Sequence, residues 1–241
     1  MHEIELDRID STNTYAKIHA PSFPPNTITC ITANEQTAGR GRFGRPWLSP
    51  KDQNIYATFS FSLPTSGSLA QLMAASLIAV LRTLGLSPLL KWPNDVLLNG
   101  KKLAGHLCET YTQSQITQII LGVGININMD AQTAAQIDQP VTSLFLETGI
   151  LWDRRKILKD LQHQFEKDLD QFEREGLLPF CALLNETLAY KGEKIILREK
   201  DQTITGICHS IAPNGQLNLL QDNNTIHTLF SGDLSICRRH K

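Results

Sequence analysis

The spacing of apolar residues along most of the chain alternates between strand and helix periods. Ile55–Leu63 is apolar at every odd position, which predicts a strand with one face on the core. Leu69–Leu84 and Asp153–Phe172 carry apolar residues at helical spacing and are followed by Gly85 and Gly176, so both are predicted to be helices. Shorter elements are expected as a helix near Asn13–His19 and as strands at Ile4–Leu6, Thr27–Thr32, Leu89–Lys91, Asp95–Leu98 and Leu103–Thr110.

The segment Ile119–Asn128 has two chemically different faces. Its odd positions are apolar, whereas its even positions include Gly122, Gly124, Asn126 and Asn128. A strand face bare of bulk and carrying amides suits the floor of a ligand site. The alternative is a bulged or edge strand whose glycines serve packing, and the pattern alone favours neither.

The pattern changes after Tyr190. Short strands separated by turns such as Pro213-Asn214-Gly215 predict a small barrel of about five strands. The expected strands are Lys194–Leu197, Thr203–Ile211, Gln216–Leu220, Thr225–Phe230 and Leu234–Ile236. The boundary is placed near residues 186–193, which gives domains 1–188 and 189–241.

Composition narrows the class of protein. The 241 residues are 41% hydrophobic and 20% charged with a net charge of −1, which argues against disorder and against a dedicated nucleic-acid binder. The five cysteines form no CxxC pair, so no metal or redox site is indicated and free thiols in a reducing cytosol are expected. Neither a signal peptide nor an apolar run of ~18–20 residues is seen, so a cytoplasmic protein without membrane contact is predicted.

The densest chemical signal is the segment Thr37–Trp47. Arg40, Arg42 and Arg45 alternate with three glycines there, so backbone amides and guanidinium groups can surround an anion. A Gly/Arg RNA-binding box or a plain flexible loop would have the same composition, although a single short copy between two strands speaks against the RNA box. The chain has no GxxxxGK[ST] motif, so a nucleotide would not be held by a P-loop.

A second cluster combines Lys91-Trp92-Pro93-Asn94-Asp95 with Lys101-Lys102-Leu103-Ala104-Gly105. Taken alone, a lysine pair after an Asn-Gly turn is most often a solvated hairpin tip. A proline between an aromatic residue and an Asn-Asp pair is unusual for a plain hairpin, because proline removes a ladder donor.

Three motifs, GRGRFGRPW, KWPNDVLLNGKKLAG and GVGININ, occur in this order, and together they resemble the biotin–protein ligase family. The resemblance extends over nearly the whole chain and includes the closing FSGDLSI. It implies an α+β fold: a catalytic domain of the class II synthetase-like biotin ligase type, with a mixed sheet flanked by helices, and a small C-terminal SH3-like barrel.

The same resemblance implies an ATP-dependent enzyme that converts biotin to biotinyl-5'-AMP and transfers biotin to a lysine of the biotin carboxyl carrier domain of a carboxylase. ATP and biotin would be substrates, with Mg²⁺ accompanying ATP and no protein metal site. Some relatives carry an N-terminal DNA-binding domain, but this chain begins at the catalytic domain, so DNA binding is not expected. A homodimer through sheet edges is compatible with the resemblance.

Residue roles follow from the resemblance position by position. Lys102, Arg42 and Asp95 are expected to be catalytic, with Lys102 bridging the biotin carboxylate and the α-phosphate. The biotin pocket is expected to contain Ser11, Thr12, Asn13, Gln36, Gly39, Arg40, Gly41, Arg42, Lys102 and Gly105. The ATP site is expected to contain Arg40, Arg42, Arg45, Trp47, Asn94, Lys102 and Asn126.

Three positions depart from the family pattern. Phe43 stands where a polar or basic residue is expected, His106 interrupts an aliphatic run and is interpreted as a core residue, and Cys237 shifts Arg238-Arg239 away from the last strand. The rival interpretations are a lipoate-type ligase using the same adenylation chemistry and a non-catalytic ligand- or nucleic-acid-binding module.

Overall fold

The computed structural model describes residues 1–63, 67–113, 116–199, 202–230 and 232–236. The strands of a seven-stranded sheet are β1 (His2–Ile9), β2 (Thr29–Gln36), β3 (Ile55–Ser62), β4 (Leu89–Lys91), β5 (Asp95–Leu98), β6 (Lys101–Gln113) and β7 (Ile116–Ile125). Their order is β1-β2-β3-β7-β6-β5-β4, with β1 parallel to β2 and the other pairs antiparallel. The predicted mixed sheet is confirmed.

The helices are α1 (Thr12–His19), α2 (Leu69–Thr83), α3 (Ala131–Ala134), α4 (Leu144–Thr148), α5 (Arg154–Glu175) and α6 (Cys181–Glu186). The long helix α5 begins where the Asp153 carboxylate accepts the backbone N–H groups of Arg155 and Lys156, and it ends at Gly176 in a positive-φ conformation. The short helices α3, α4 and α6 were not predicted, because elements of four to six residues are too short to show a period.

Both faces of the sheet are covered. Helices α2 and α5 pack together on one face, and α1 lies against β3 and β7 on the other, where Ala16 contacts Ile31 and Ile120 in a small second core. The prediction that β3 has one buried face was therefore too narrow: Tyr56, Thr58 and Ser60 are also buried. Strand β7 lies between β3 and β6, so it is not an edge strand.

The five predicted C-terminal strands are present as β8 (Lys194–Glu199), β9 (Gln202–Ile211), β10 (Leu217–Leu220), β11 (Ile226–Leu229) and β12 (Asp233–Ile236). They form an antiparallel sheet in the order β11-β10-β9-β8-β12, with a register shift between Asn218 and Leu219. Among the described residues, β11 and β12 each pair with one neighbouring strand only, so these pairings do not close the sheet into a barrel.

The C-terminal sheet docks on the larger sheet through its predicted turn. The carbonyl of Gly215 accepts a hydrogen bond from Nε1 of the buried Trp92 at 2.9 Å, and Ser68 donates to the Asn214 carbonyl at 2.7 Å. Buried apolar residues of both sheets, including Trp92 and Leu219, belong to one continuous cluster. The two sheets therefore share a core.

The described residues also bear on the composition-based predictions. Cys30, Cys108, Cys181 and Cys208 carry free thiols, while Cys237 lies outside the described residues. Within the described part of the chain, no helix is both long and apolar enough to cross a membrane. Arg238 and Arg239 also lie outside the described residues.

Candidate functional site

A cavity of about 200 Å³ opens where the three sequence motifs meet. Its walls come from the loop after β2, the segment joining β4 to β5, strands β6 and β7, the start of α1 and two residues of the C-terminal sheet. It brings together thirteen of the fifteen site residues expected from the sequence: Ser11, Thr12, Asn13, Gln36, Arg40, Gly41, Arg42, Arg45, Trp47, Asn94, Asp95, Lys102 and Gly105.

Glycines on β6 and β7 form the floor. Gly105 and Gly124 lie opposite each other in the strand register, and the indole of Trp47 lies on both. A Cβ on Gly124 would come 2.4 Å from Trp47, and a Cβ on Gly122 would come 2.4 Å from the amide oxygen of Asn13. The bare face of β7 lets these two side chains approach the strand, so its glycines serve packing within the cavity wall. That the same face floors a ligand site stays a prediction.

The floor carries an ion pair. Nζ of Lys102 lies 2.9 Å from Oδ1 of Asp95, and each side chain is 16% exposed. The ammonium also lies 5.2 Å from the ring centroid of Trp47. Nε1 of Trp47 is buried and finds no hydrogen-bond partner among the described residues, so a polar atom at the floor is left for a ligand.

Positive charge dominates the walls. Asp95 is the acidic residue of the lining, against five basic residues: Arg40, Arg42, Arg45, Lys91 and Lys102. A concave surface lined by one sign of charge attracts the opposite sign. The cavity therefore favours an anionic ligand.

The loop between β2 and β3 folds over the cavity as a tight hairpin. Gly41 and Arg45 are joined by a backbone hydrogen bond of 2.8 Å, and Gly39 and Trp47 by another of 2.9 Å. Its tip is a 3₁₀ turn at residues 42–44, in which Phe43 has a φ of 58°. The side chain of Phe43 points out of the cavity and is 71% exposed, with the guanidinium groups of its arginine neighbours over its ring.

Arg42 connects this loop to two distant parts of the chain. Its Nη1 donates to Oδ1 of Asn94 at 3.2 Å and to the carbonyl of Gly232 at 3.3 Å. Arg40 instead donates to Oγ1 of Thr14 at 2.9 Å. The loop is thus fastened on one side to α1 and on the other to the C-terminal sheet.

His106 is a buried residue of the cavity wall. Nδ1 lies 3.0 Å from the carbonyl oxygen of Asn94, which can only accept, so Nδ1 carries the proton. Burial, aided by the charge of Lys102, lowers the pKa of His106 to about 4 against the opposing hydrogen bond to Asn94. Nδ1 has the hydrogen-bond partner that a buried core histidine needs. Nε2 has none among the described residues.

Two expected residues lie outside the lining. Gly39 packs under the loop, where a Cβ would come 2.6 Å from the Trp47 carbonyl. Asn126 is buried, and its Nδ2 donates to the carbonyl of Thr142 at 3.0 Å, so its amide supports the segment before α4. Their assigned contacts with biotin and nucleotide remain predictions.

The cavity also contains residues to which the sequence assigns no contact with biotin or ATP. Gly122 and Gly124 have no assigned role in the sequence, where they suit either the floor of a ligand site or packing, and Trp92 and Pro93 stand out only as an unusual turn. Gln139, Gly232 and Leu234 gave no local signal, because they reach the cavity from loops and strands far away in the chain. For the last two, the matching segment FSGDLSI was the available hint.

Comparisons with known proteins agree with this geometry. The family described as the biotin/lipoate A/B protein ligase family matches residues 5–126. The bifunctional ligase/repressor BirA of Escherichia coli K12 is 33% identical over 237 residues, which cover 96% of this chain and 73% of that protein. A biotin–[acetyl-CoA-carboxylase] ligase of Paracoccus denitrificans is 35% identical over 226 residues, covering 89% and 92%.

The fold is similar to that of a solved structure. A biotin protein ligase from Aquifex aeolicus in complex with biotin and ATP superimposes with a TM-score of 0.82 at 28% identity, and the match covers 99% of each chain.

Proposed function

The chain belongs to the biotin/lipoate A/B protein ligase family, and we propose that it is a biotin–protein ligase. It activates biotin with ATP to biotinyl-5'-AMP and transfers the biotinyl group to a lysine of the biotin carboxyl carrier domain of a carboxylase. The observation that carries this proposal is the convergence of the three motif segments on one cationic cavity.

The chemistry suits such a cavity. A biotin carboxylate oxygen forms a bond to the α-phosphorus of ATP while the bond to the β-phosphate oxygen breaks and pyrophosphate leaves. Both reactants are anions, so catalysis consists mainly of positioning and of stabilising charge on the phosphoryl oxygens. In the second step the neutral amine of the acceptor lysine attacks the acyl carbon, AMP leaves with the bonding electrons, and the new amide loses a proton.

Roles for individual residues follow as part of the proposal. We assign Lys102 to the biotin carboxylate and the α-phosphate together, and Asp95 to holding its ammonium, a role supported by their separation of 2.9 Å. We assign Arg40 and Arg42 to the phosphate side, and Arg45, Trp47 and Asn94 to the nucleotide. The unpartnered Nε1 of Trp47 fits a ligand polar atom.

We assign the ureido ring of biotin to the polar lining residues Ser11, Thr12, Asn13 and Gln36. Asn13 lies over Gly122, whereas Lys102 lies by Gly105, which pairs with Gly124 two residues further along β7. One elongated ligand can therefore extend along the strand from the ring-binding residues to Lys102.

Mg²⁺ is assigned to ATP. The lining contains one carboxylate, that of Asp95, and Lys102 already occupies one of its oxygens. This donor set does not form a protein cage for the ion, whereas Mg²⁺ is commonly held by substrate phosphates and its own waters. It would screen the charge of the departing pyrophosphate.

Three further assignments complete the proposal. The C-terminal sheet is the SH3-like barrel of the family, the protein acts in the cytoplasm without DNA as a partner, and it forms homodimers through an exposed sheet edge. Sedimentation at increasing protein concentration tests the dimer, and a monomer at all concentrations would exclude it.

Biotin-dependent exchange between ATP and labelled pyrophosphate tests the function. We expect exchange with biotin and none with lipoate, followed by transfer to a purified carrier domain. Exchange that needs lipoate instead of biotin would identify a lipoate-type ligase, and exchange with neither acid would overturn the proposal.

A further inference from the structure

A row of paired residues crosses four strands of the larger sheet beneath the cavity. Gly124 on β7 pairs with Gly105 on β6, and Gly105 pairs in turn with Asp95 on β5. The last pair of the row is Asp95 with Lys91 on β4. Residues directly opposite each other in neighbouring strands have their side chains on the same face of the sheet. Lys91 is therefore on the face that carries the indole of Trp47, at the outer end of the row.

The residue before Lys91 agrees with this direction. Leu90 is fully buried in the core cluster that also contains residues of α2 and α5. Because side chains alternate between the two faces along a strand, Lys91 points to the opposite face, where the cavity lies. Lys91 is a half-buried residue of the cavity lining, and β4 is the outermost strand of the described sheet.

The ammonium of Lys91 has no partner within the described part of the chain, neither in an ion pair nor in a hydrogen bond. A half-buried cation in a wall of other cations is unfavourable until an anion approaches it. The other four basic residues of the lining each have a contact within the protein: Lys102 with Asp95, Arg40 with Thr14, Arg42 with Asn94 and Arg45 with the ring of Phe43. Lys91 is therefore left for a ligand.

The proposed reaction needs an anion site in the direction of Lys91. The attacking and leaving oxygens of a phosphoryl transfer lie roughly in line, so pyrophosphate leaves on the side of the α-phosphate away from the biotin carboxylate. The ring end of the ligand is assigned to Asn13, which lies over Gly122 on β7, and the α-phosphate to Lys102, which lies by Gly105 on β6. The direction from β7 to β6 continues across β5 to β4, where Lys91 lies.

We propose that Lys91 binds the β- and γ-phosphates of ATP and the pyrophosphate that leaves. This assignment rests on the function proposed above, which supplies the identity of the anion. The bond between the α-phosphorus and the bridging oxygen breaks with its electron pair on the oxygen, and the ammonium of Lys91 stabilises the charge that develops there. Because Lys91 is half-buried on the outermost strand, pyrophosphate can pass from this position to solvent.

Lys91→Met tests the assignment, since it keeps most of the side-chain length and removes the charge. We expect kcat/KM for ATP to fall about tenfold and KM for pyrophosphate in the exchange reaction to rise about tenfold. This is the lower end of the range for a hydrogen bond to a charged group, because water and salt reach a half-buried ammonium. KM for biotin should stay within threefold of wild type. Lys91→Arg keeps the charge and should stay within threefold for ATP and pyrophosphate.

Synthetic biotinyl-5'-AMP provides the control, since it contains the α-phosphate but lacks the β- and γ-phosphates. When it is supplied with a carrier domain in place of biotin and ATP, Lys91→Met should transfer biotin within threefold of the wild-type rate. The same result shows that the variant is folded. Lys51→Met removes an equal charge from an ion pair with Asp7 outside the cavity lining, and it should leave all of these measurements unchanged.

The outcomes separate this inference from the function on which it rests. Wild-type protein without biotin-dependent exchange would reject the proposed function. Wild-type exchange combined with unchanged use of ATP and pyrophosphate in Lys91→Met would reject the role of Lys91 alone. An equal loss of transfer from biotinyl-5'-AMP would also reject it, because Lys91 would then act on the adenylate or on the carrier. An equal loss in Lys91→Arg would reject it as well, because the charge would not be the cause.

Discussion

Replacing Lys102 with Met is the most informative perturbation of the proposed chemistry. Met keeps the length of the side chain and removes the charge that we place against both reacting anions. Losing one charge contact of this kind in the transition state typically lowers the rate by ~10²–10³. Biotin-dependent pyrophosphate exchange at saturating biotin and ATP should fall by this factor.

The same substitution has a structural consequence that must be separated from catalysis. It leaves the Asp95 carboxylate, which is 16% exposed, without its partner at 2.9 Å. Breaking a fully buried ion pair costs about 3–5 kcal/mol of unfolding free energy, and because water reaches this pair in part we expect roughly 1–3 kcal/mol. Chemical denaturation measures this loss.

The double variant Lys102→Met, Asp95→Asn distinguishes the two effects. An amide at position 95 removes the unpaired charge, so stability should return to within about 1 kcal/mol of wild type. Exchange should remain lost, because the ammonium is still absent. Exchange within threefold of wild type in Lys102→Met would refute the catalytic role, and recovery of exchange in the double variant would show that the loss was structural.

Three further predictions address other parts of the site. Burial lowers the pKa of His106 from an ordinary 6.5 to about 4, so between these values the unfolded chain binds a proton that the folded chain does not. The unfolding free energy measured in urea should therefore be about 2 kcal/mol lower at pH 5 than at pH 7 because of this residue, and His106→Asn should remove that difference. Gly124→Ala places a Cβ 2.4 Å from Trp47 and should lower kcat/KM for ATP by roughly 10- to 100-fold in steady-state exchange, whereas Gly67→Ala, with open space around it, should have no effect. Arg42→Gly removes the contacts of the loop with Asn94 and Gly232, so the variant should still make biotinyl-AMP but release it. Released adenylate should biotinylate an unrelated lysine-rich protein, as detected on a biotin blot. Adenylate synthesis without labelling of that protein would contradict this.

The elements could be predicted from the sequence because their causes are local. Alternation defined β3, and a glycine following the periodic segment defined the end of α5. The second buried face of β3 could not be predicted, since Thr58 and Ser60 look like solvent-facing residues until α1 is placed over them. Polar residues with buried partners are misassigned whenever only their own polarity is considered.

The site was predictable to the extent that its motifs are contiguous. Gly122 and Gly124 mark a bare strand face in the sequence, but only the fold shows that Asn13 and Trp47 occupy it. Conversely, Asn126 lies in a motif, yet its amide binds the Thr142 carbonyl, because the segment before α4 lies against that end of β7. Position in a motif therefore predicts proximity to the cavity better than it predicts contact with it.

The boundary near residue 188 separates two sheets but not two cores. Trp92 belongs to a cavity motif, and yet its indole N–H is bonded to Gly215 and its ring is buried in a cluster that continues into the C-terminal sheet. Arg42 reaches Gly232 across 190 residues of sequence.

A reactive mixed anhydride must be kept from water, and a loop with three glycines closes poorly by itself because ordering it opposes its chain entropy. Fastening the loop to a docked second sheet lowers that entropy before any ligand binds, so the C-terminal strands can support catalysis without a biotin contact of their own.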